Sequence, residues 1–381
     1  MGSNGPVEKG EYPDSNSFSL HLSHPTAEER LQIWNLNSVN WGTSLSKPDY
    51  LEREAYLTTI PLAKNGGVTH WILVDRNLPP NARPILASCE SLRKSVLVAK
   101  NGSVTEGITH GIGSVFSAPK YRGKGYASRM LRELGPVLKS WQVTEKSGPC
   151  DFSVLYSDIG KKYYTKLGWV PFPSSHIALA PSTSSTNSMK AKSLAEGDIA
   201  ELCALDEQYI RQALESAKDG RTHVAKIPSH DQMLWHHKRE HFVCKKIFPS
   251  KPAPSIKGAM AGPTGSRIWT IWTRAYYGPL EADSGNTLHL LRLVIEDETD
   301  NEQNAESLKA ILELAKSEAK QWNVDAVDLW NPSETVQAIL RRTGLEHEFV
   351  DRQQESITSL MWYGDDTDQI TWMANEKYGW C

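Results

Sequence analysis

The sequence predicts a mixed α/β fold, an α+β arrangement in which two similar halves each pack helices against a mixed β-sheet. Three observations support this prediction. Apolar runs typical of strands alternate with amphipathic helical patterns, the order of elements recurs after a polar linker, and 381 residues exceed the size of one ordinary domain core. Hydrophobic residues make up 39% of the chain and charged residues 23%, which is typical of globular proteins.

The overall charge and the cysteines narrow the partners and the compartment. A formal net charge of −3 leaves no basic footprint, so we expect no nucleic-acid partner. The longest apolar runs fall far short of a bilayer span, so we expect no membrane partner. Five cysteines without a C-x-x-C pair do not suggest a disulfide framework and indicate a reducing, cytoplasmic location. These features leave the oligomeric state open.

The first half is expected at residues 18–181, after a flexible N-terminus at residues 1–17 that is rich in Gly, Pro, Ser and Asn. Asn101-Gly102 predicts a hairpin turn, because this dipeptide tolerates the positive φ that such turns need. Before that turn we predict strands at residues 18–22, 68–74 and 84–99, and helices at residues 25–34 and 47–58.

The most informative stretch is residues 109–134, in which an apolar strand leads through a glycine loop into a helix. The strand-like run ends at Pro119, the loop holds Arg122, Gly123 and Gly125, and apolar residues then recur at helical spacing. The glycines allow consecutive N–H groups at the helix N-terminus to point at a phosphate, and the arginine adds a positive charge. The stretch therefore predicts an anion-binding site.

The second half, residues 191–381, follows a linker at residues 182–190 and repeats the first in outline. To complete the first half we predict helices at residues 125–140 and 160–166 and strands at residues 151–156, 169–172 and 176–180. In the second half we predict helices at residues 199–216, 305–322 and 333–341 and strands at residues 268–277, 288–296 and 324–330, with a polar region after the first helix.

The two copies differ at the loop that follows the matching strand. Where the first half has Arg122 and its glycines, the second half has the acidic run at residues 296–302. Negative charge there would repel a phosphate, so only the first half is expected to hold an anionic ligand.

Two motifs in this order and spacing resemble the GCN5-related N-acetyltransferases. Arg122-x-x-Gly125-x-Ala127, after a strand, is similar to the acetyl-CoA motif of that family. About forty residues on, Tyr164 stands four positions before Gly168-Trp169, as in the second family signature. The segments at residues 155–160 and 235–237, with the two-half plan, resemble the fungal lysine N6-acetyltransferases of lysine catabolism.

This resemblance implies a role for each matching position. The edge strand at Val115, Phe116 and Ser117 would pair with the pantetheine arm of acetyl-CoA, with one N–H polarising the thioester carbonyl. Tyr164 would protonate the departing thiolate, and its counterpart in the second half is Leu340. The residues that would hold the pyrophosphate are Tyr121, Arg122, Gly123, Lys124, Gly125, Tyr126, Ala127 and Ser128.

The general base is not evident from the sequence, because the strand that feeds the loop carries no acid near Thr109. His110 is a candidate, since a histidine titrates near pH 7. The C-terminal carboxylate of Cys381 is another, because the aromatic tail suggests that it packs rather than frays. Glu106, Asp158 and water are further alternatives.

The acceptor expected from the resemblance is the ε-amine of free L-lysine, held in a cleft between the halves. Arg274 and Arg292 could bind its carboxylate, and Asp158 could bind an ammonium. A polyamine or an amino-bearing toxin is an alternative acceptor, and a CoA-binding regulatory protein without turnover is an alternative of another class. His237-x-x-Glu240-His241 fits a zinc-protease spacing, but without a third ligand we expect no metal.

Overall fold

The computed structural model describes residues 12–183, 191–282, 284–365 and 370–380. Within these ranges, two mixed β-sheets are flanked by helices, which confirms the predicted fold class. Most of the predicted linker, at residues 184–190, lies outside the described residues.

The elements of the first half follow the predicted order closely. In chain order they are β1 (Leu20–Ser23), α1 (Ala27–Trp41), α2 (Lys47–Leu57), β2 (Val68–Asp75), β3 (Ala87–Lys100), β4 (Ser103–Phe116), α3 (Tyr126–Leu138), β5 (Phe152–Ser157), α4 (Lys162–Thr165), β6 (Val170–Pro171) and β7 (Ser175–Leu179).

Local sequence signals explain several of these bounds. Thr26 and Glu29 form a reciprocal capping box at the start of α1, with N–H to oxygen distances of 3.1 and 2.9 Å. Asn101 and Gly102 have φ of 52° and 79°, which confirms the predicted hairpin turn between β3 and β4.

Helix α3 packs onto the first sheet through one apolar face. Its side chains Met130, Leu131, Leu134 and Leu138 are fully buried. Burial of each contributes about 1.5–3 kcal/mol. This packing fixes the N-terminus of α3, and with it the glycine loop, at the end of β4.

The second half contains more regular structure than the sequence predicts. Its elements are β8 (Lys192–Leu194), α5 (Ile199–Ser216), β9 (Thr222–Lys226), α6 (His230–Ile247), β10 (Gly258–Ala261), β11 (Ile268–Ala275), β12 (Thr287–Ile295), α7 (Glu302–Gln321), β13 (Ala326–Trp330), α8 (Glu334–Arg342), β14 (Glu348–Asp351), β15 (Ile357–Trp362) and β16 (Ile370–Trp372).

Helix α6 occupies the stretch that the sequence indicates only as a polar region. Its buried face carries His236, His237 and Glu240, so no apolar stripe marks it. Distant partners satisfy these groups: His236 Nε2 lies 3.0 Å from the Tyr378 carbonyl, and His237 Nε2 lies 3.0 Å from the Trp272 carbonyl. Contacts with distant parts of the chain therefore stabilise this helix, which its local hydrophobic pattern does not predict.

The two halves contribute strands to each other's sheet. Seven strands of the nine-stranded first sheet run β1-β2-β3-β4-β5-β15-β6, and β9 also pairs with β3 while β16 pairs with β9. The second sheet runs β14-β7-β13-β12-β11-β10-β8. Strand β15 of the second half thus pairs with β5, and β7 of the first half pairs with β13, both antiparallel. The predicted boundary near residue 181 divides the chain but does not divide the sheets.

The equivalent elements recur in the same order in both sheets. The run β4-β5-β15-β6 matches β12-β13-β7-β14, and β4 pairs with β5 in parallel as β12 does with β13. This correspondence agrees with the interpretation of the second half as a diverged copy. It also identifies the N-terminus of α7 as the counterpart of the N-terminus of α3.

The N-terminal segment is more ordered than predicted where the structure describes it. Tyr126 Oη donates to the Pro13 carbonyl at 2.7 Å, and Arg129 Nη1 donates to the Ser15 carbonyl at 2.8 Å. Residues 12–17 therefore pack along the start of α3, whereas residues 1–11 lie outside the described residues.

No helix in the described part of the chain combines the length and the apolar character needed to cross a bilayer.

Candidate active site

Strand β4 separates from β5 at the point where it approaches the glycine loop. The parallel pairing of the two strands extends from His110 to Ile112. On the other side, the register of β4 against β3 shifts between the pairs Ser88↔Phe116 and Glu90↔Gly113, which leaves an extra residue in β4. Ser114 in this bulge has φ of 53°, a conformation that costs about 1–3 kcal/mol outside glycine.

A cavity of about 380 Å³ opens beside this bulge. Helix α2, strands β2 to β5, helix α6 and the C-terminal tail contribute to its walls. Its charged and histidine lining residues are Arg53, Glu54, His70, Glu90, Asp158 and Arg239. Tyr164 and other aromatic side chains, which include Trp34, Trp41, Tyr50, Tyr156, Trp235 and Trp380, also line it. The cavity size and its mixed lining suit a small polar molecule.

Glu90 on β3 is the carboxylate closest to the bulge by sheet register. Ser114 Oγ donates to Glu90 Oε1 at 2.8 Å, and His70 Nε2 lies 3.6 Å from Oε2. Burial, reinforced by the like charge of Glu54, raises the pKa of Glu90 to about 7. Burial lowers the pKa of His70 to about 4, so that histidine is neutral at pH 7. Glu90 is therefore suited to accept a proton near neutral pH.

Tyr164 lines the same cavity from α4. Its ring packs edge-on against Tyr163, with the ring centroids 5.0 Å apart. Burial raises the pKa of Tyr164 above its usual value, so the phenol stays protonated at pH 7 and can act as a proton donor. Its counterpart Leu340 is buried in the core of the second half.

The predicted phosphate loop lies at the N-terminus of α3. Gly123 and Gly125 adopt φ of 74° and 83°, and no side chain caps the first turn of the helix. A Cβ added to Gly123 would meet no atom within 4 Å. Arg122 is exposed and is held by a hydrogen bond from its Nε to the Ser117 carbonyl, 3.1 Å away. Free N–H groups, a nearby guanidinium and open space fit a pyrophosphate.

Other predicted residues of the cofactor site have structural contacts around this loop. Tyr121 and Tyr126 are buried, and Ser128 Oγ lies 2.9 Å from Tyr163 Oη. Lys124 is exposed, with its ammonium 5.3 Å from the centre of the Tyr12 ring. Val115 lines the cavity, whereas Phe116 is buried in the core below it. The structure thus brings the predicted strand and loop residues to one edge of the sheet.

His110 does not reach the cavity, although it lies on β4. It is fully buried, and its Nε2 donates to the Trp141 carbonyl at 3.0 Å. Burial lowers its pKa to about 4. A neutral, enclosed histidine does not fit the predicted role of general base.

Arg274 and Arg292 also lie outside the lining of this cavity. Arg274 is buried and forms ion pairs with Glu240 and Glu318. Arg292 forms ion pairs with Asp206, at 2.8 Å, and Glu376, beside a separate cavity of about 870 Å³. Because internal carboxylates match both charges, these arginines do not fit the predicted carboxylate-binding role.

Asp158 and the C-terminal tail do reach the cavity lining, the tail through Trp380. Lys94 Nζ donates to the Gly379 carbonyl at 2.8 Å, and Tyr378 is fully buried. The tail therefore packs, as the sequence predicts. Cys381 lies outside the described residues, so the proposed role of its carboxylate stays a prediction.

The zinc-like spacing on α6 has a structural explanation. Glu240 Oε2 accepts from Lys257 Nζ at 2.5 Å, and its other oxygen accepts from Arg274. Within the described ranges, no group of three or more His, Cys, Asp or Glu side chains could hold a metal ion.

The sequence did not identify Glu90 or Arg239 as residues of the site. Glu90 falls in the irregular middle of its strand, among serines and basic residues, and no local pattern distinguishes it. Arg239 lies on α6, the helix that the hydrophobic pattern does not mark. Both reach the cavity through contacts between elements distant in the chain.

Similarity to known proteins bears on the family and the fold of this chain. Residues 176–381, more than half of the chain, match the family model described as the LYC1 GNAT-like C-terminal domain. A lysine acetyltransferase of Yarrowia lipolytica is 24% identical over 405 residues, covering 91% of this chain and 96% of the relative. Uncharacterized protein YGR111W of Saccharomyces cerevisiae is 24% identical over 399 residues, covering 93% and 96%.

Solved structures share the fold at low sequence identity. A probable N-acyltransferase from Enterococcus faecalis has a TM-score of 0.50 and 12% identity, covering 90% of this chain and 71% of its own. The N-myristoyltransferase of Saccharomyces cerevisiae with bound myristoyl-CoA has a TM-score of 0.52 and 10% identity, covering 96% and 82%. The solved structures show the shared fold, and the family model, which matches more than half of the chain, shows that the chain belongs to the LYC1-like family of GCN5-related N-acetyltransferases.

Proposed function

We propose that this protein transfers the acetyl group of acetyl-CoA to the ε-amine of free L-lysine. The observation that carries the proposal is the juxtaposition of Glu90 and Tyr164 in one enclosed cavity, beside the bulge of β4. The relationship to the lysine acetyltransferase of Yarrowia lipolytica supports the choice of acceptor.

Acetyl-CoA would supply the acetyl thioester, and residues of this chain would hold it. The first-turn N–H groups of α3, with Arg122, would bind the pyrophosphate. The backbone of β4 from Gly113 to Phe116, beyond its pairing with β5, offers N–H groups to the pantetheine arm. An N–H directed at the thioester oxygen would stabilise the negative charge that develops there.

Two side chains of the cavity would move the protons. The Glu90 carboxylate would take a proton from the substrate ammonium, which frees the nitrogen lone pair for attack. Tyr164 Oη would supply a proton to the leaving thiolate. The raised pKa of Glu90, about 7, lets its carboxylate exchange a proton near neutral pH, and the raised pKa of Tyr164 keeps its phenol protonated.

The proposal is tested by incubating the purified protein with acetyl-CoA and a panel of amines while CoA release is measured. We expect turnover on L-lysine to exceed turnover on polyamines. Turnover on polyamines but not on lysine would exclude lysine as the acceptor. Bound acetyl-CoA without turnover on any amine would instead favour a CoA-binding regulatory protein.

A further inference from the structure

Arg239 stands out in the cavity because its positive charge has no anionic partner. The residue lies on α6 and is partly buried. Among the described residues its guanidinium makes no hydrogen bond or ion pair, and its Cζ lies 5.8 Å from the centroid of the Trp380 ring. Arg53, on the neighbouring helix α2, differs: its Nε and Nη2 both donate to Glu54 Oε1, at 2.9 and 2.7 Å.

The surroundings of Arg239 make this unmatched charge unfavourable. Burial and the nearby positive charge of Arg53 lower the pKa of Arg239 to about 10. Removing a cation from water without pairing it costs free energy, so a cavity with such a group is better matched when an anion enters. An arginine fork pairs with a carboxylate through two parallel hydrogen bonds.

The wall that carries Arg239 is firmly positioned. Helix α6 packs against α2 through Tyr56 and Phe242, whose rings stack at 5.7 Å, and through an ion pair between Lys246 and Asp49 at 2.7 Å. Glu90 and Tyr164 come from the first half, on β3 and α4, so the cavity receives its acid–base groups and Arg239 from different halves.

We propose that Arg239 binds the α-carboxylate of the acceptor, so that this site selects an amino acid over a diamine. The proposal rests on the acetyltransferase function proposed above and specifies its substrate class. With the carboxylate at Arg239, the distal ammonium of the same molecule extends toward Glu90. A diamine such as cadaverine brings a second positive charge near Arg239 in place of the carboxylate and is disfavoured by repulsion.

The test compares L-lysine, L-lysinamide and cadaverine as acceptors for the wild-type protein and for Arg239→Gln. We expect the wild-type kcat/KM to fall about 10- to 100-fold when the carboxylate is removed, the effect of losing one charge-assisted pair. Arg239→Gln should raise the KM for L-lysine by a similar factor, with kcat nearly unchanged. The same substitution should not weaken turnover of cadaverine.

Two controls separate recognition from folding. Arg239→Lys keeps the charge and should recover part of the affinity for L-lysine. Arg211→Gln removes an arginine that pairs with Glu106 and Glu207 on the surface, and should leave all three acceptors unaffected. An Arg239→Gln variant that loses activity equally on all three acceptors would show a structural role and overturn the proposal.

Direct binding of L-lysine and cadaverine, measured by calorimetry on both proteins, distinguishes this inference from the proposed function. Equal turnover of L-lysine and cadaverine by the wild type would overturn the carboxylate role and leave the acetyltransferase proposal standing. Arg239-dependent binding of L-lysine without acetyl transfer would do the reverse. No binding and no turnover of L-lysine would overturn both.

Discussion

The same bulge occurs in both sheets, but its surroundings differ. In the first sheet it lies between β3 and β4 and opens onto the cavity at Glu90. In the second sheet the register of β11 against β12 shifts between Ile271 and Trp272, and Trp272 is fully buried in the core. Its indole Nε1 donates to the Ile256 carbonyl at 3.2 Å. A cavity therefore opens beside the bulge in the first half, whereas a tryptophan packs into the core beside the bulge in the second half.

The helix that follows the bulged strand also begins differently in the two halves: α3 has no side-chain cap, and α7 has one. Gly125 at the start of α3 has no side chain to cap the helix. At the start of α7, Asn301 accepts a hydrogen bond from the N–H of Asn304 at 2.8 Å. Asn304 in turn donates to the carbonyls of Asp297 and Thr299, both at 2.8 Å. At α7 a side chain of the protein thus accepts a hydrogen bond from a first-turn N–H group, whereas at α3 a phosphate could accept such hydrogen bonds.

At the corresponding positions the second half has a buried side chain and a capped helix N-terminus, where the first half has a cavity and an uncapped helix N-terminus. The acidic run at the position of the glycine loop is integrated into the fold. Glu296, for example, pairs with Arg267, whose Nε lies 2.9 Å from its Oε1. If the cavity and the uncapped N-terminus of α3 are functional, substitutions there should alter activity, whereas substitutions at their counterparts in the second half should not.

The largest effect is expected from Glu90→Gln, which removes the carboxylate beside the bulge of β4. Because the amide cannot accept the ammonium proton, kcat should fall by about 10²–10⁴-fold. Acetyl-CoA binding should be retained, as measured by calorimetry. Glu207→Gln, which removes a surface carboxylate paired with Arg211 at 2.6 Å, is the matched control and should keep wild-type activity.

The pH dependence of kcat/KM, measured for the wild type and for Glu90→Gln, provides a second test of Glu90 as the base. Since the base works when deprotonated, wild-type kcat/KM should decrease as pH falls through the Glu90 pKa of about 7. The decrease should approach about tenfold per pH unit below that value. Glu90→Gln should lack this limb, and a variant that retains it would assign the base elsewhere.

A smaller loss is expected from Tyr164→Phe, which removes the hydroxyl that Leu340 also lacks. We expect kcat to fall by about 10²-fold with little change in the KM for either substrate. Tyr363→Phe removes another buried hydroxyl, one that bonds Ser153 Oγ at 2.8 Å, and should affect stability rather than kcat. Full activity of Tyr164→Phe would remove this tyrosine from the acid role.

Placing a charge in the glycine loop should reproduce the acidic character of the second half. Gly123→Asp should raise the KM for acetyl-CoA by about fivefold, because one unit of repulsion near a partly exposed phosphate costs roughly 1 kcal/mol. Gly123→Asn has the same shape and backbone preference without the charge. A similar KM for the two variants would indicate strain at φ of 74° rather than electrostatics.

The smallest effect is expected at the filled counterpart. Asn301→Ala removes the cap of α7 and should lower the free energy of unfolding by about 1 kcal/mol. The KM for acetyl-CoA should not change, which steady-state kinetics would verify. An altered KM would mean that the second helix terminus contributes to cofactor binding after all.

The sequence predicts best where local signals decide the structure. The hairpin at Asn101-Gly102, helix α5 with its bounds at Ile199 and Ser216, and the glycine loop before α3 all follow from nearby residues. The sequence does not predict strands β9 and β15, each of which pairs with a strand of the other half. Their positions depend on partners that the local pattern cannot indicate.

The candidate site divides in the same way. The loop residues form a contiguous motif, so resemblance and physical reasoning both find them. Burial and the charge of Glu54 raise the pKa of Glu90, and the bulge of β4 places the cavity beside it. None of these features is visible in the residues next to Glu90. The ordinary pKa of histidine makes His110 a candidate general base from the sequence, but burial lowers that pKa in the folded protein.

The exchange of β7 and β15 has a consequence for the history of the chain. Neither sheet is complete with residues from one half alone, because β15 lies between β5 and β6, and β7 lies between β13 and β14. A separated first half would lose the interior strand β15, and a separated second half would lose the interior strand β7. If the two halves arose by duplication, keeping either sheet complete requires both of them.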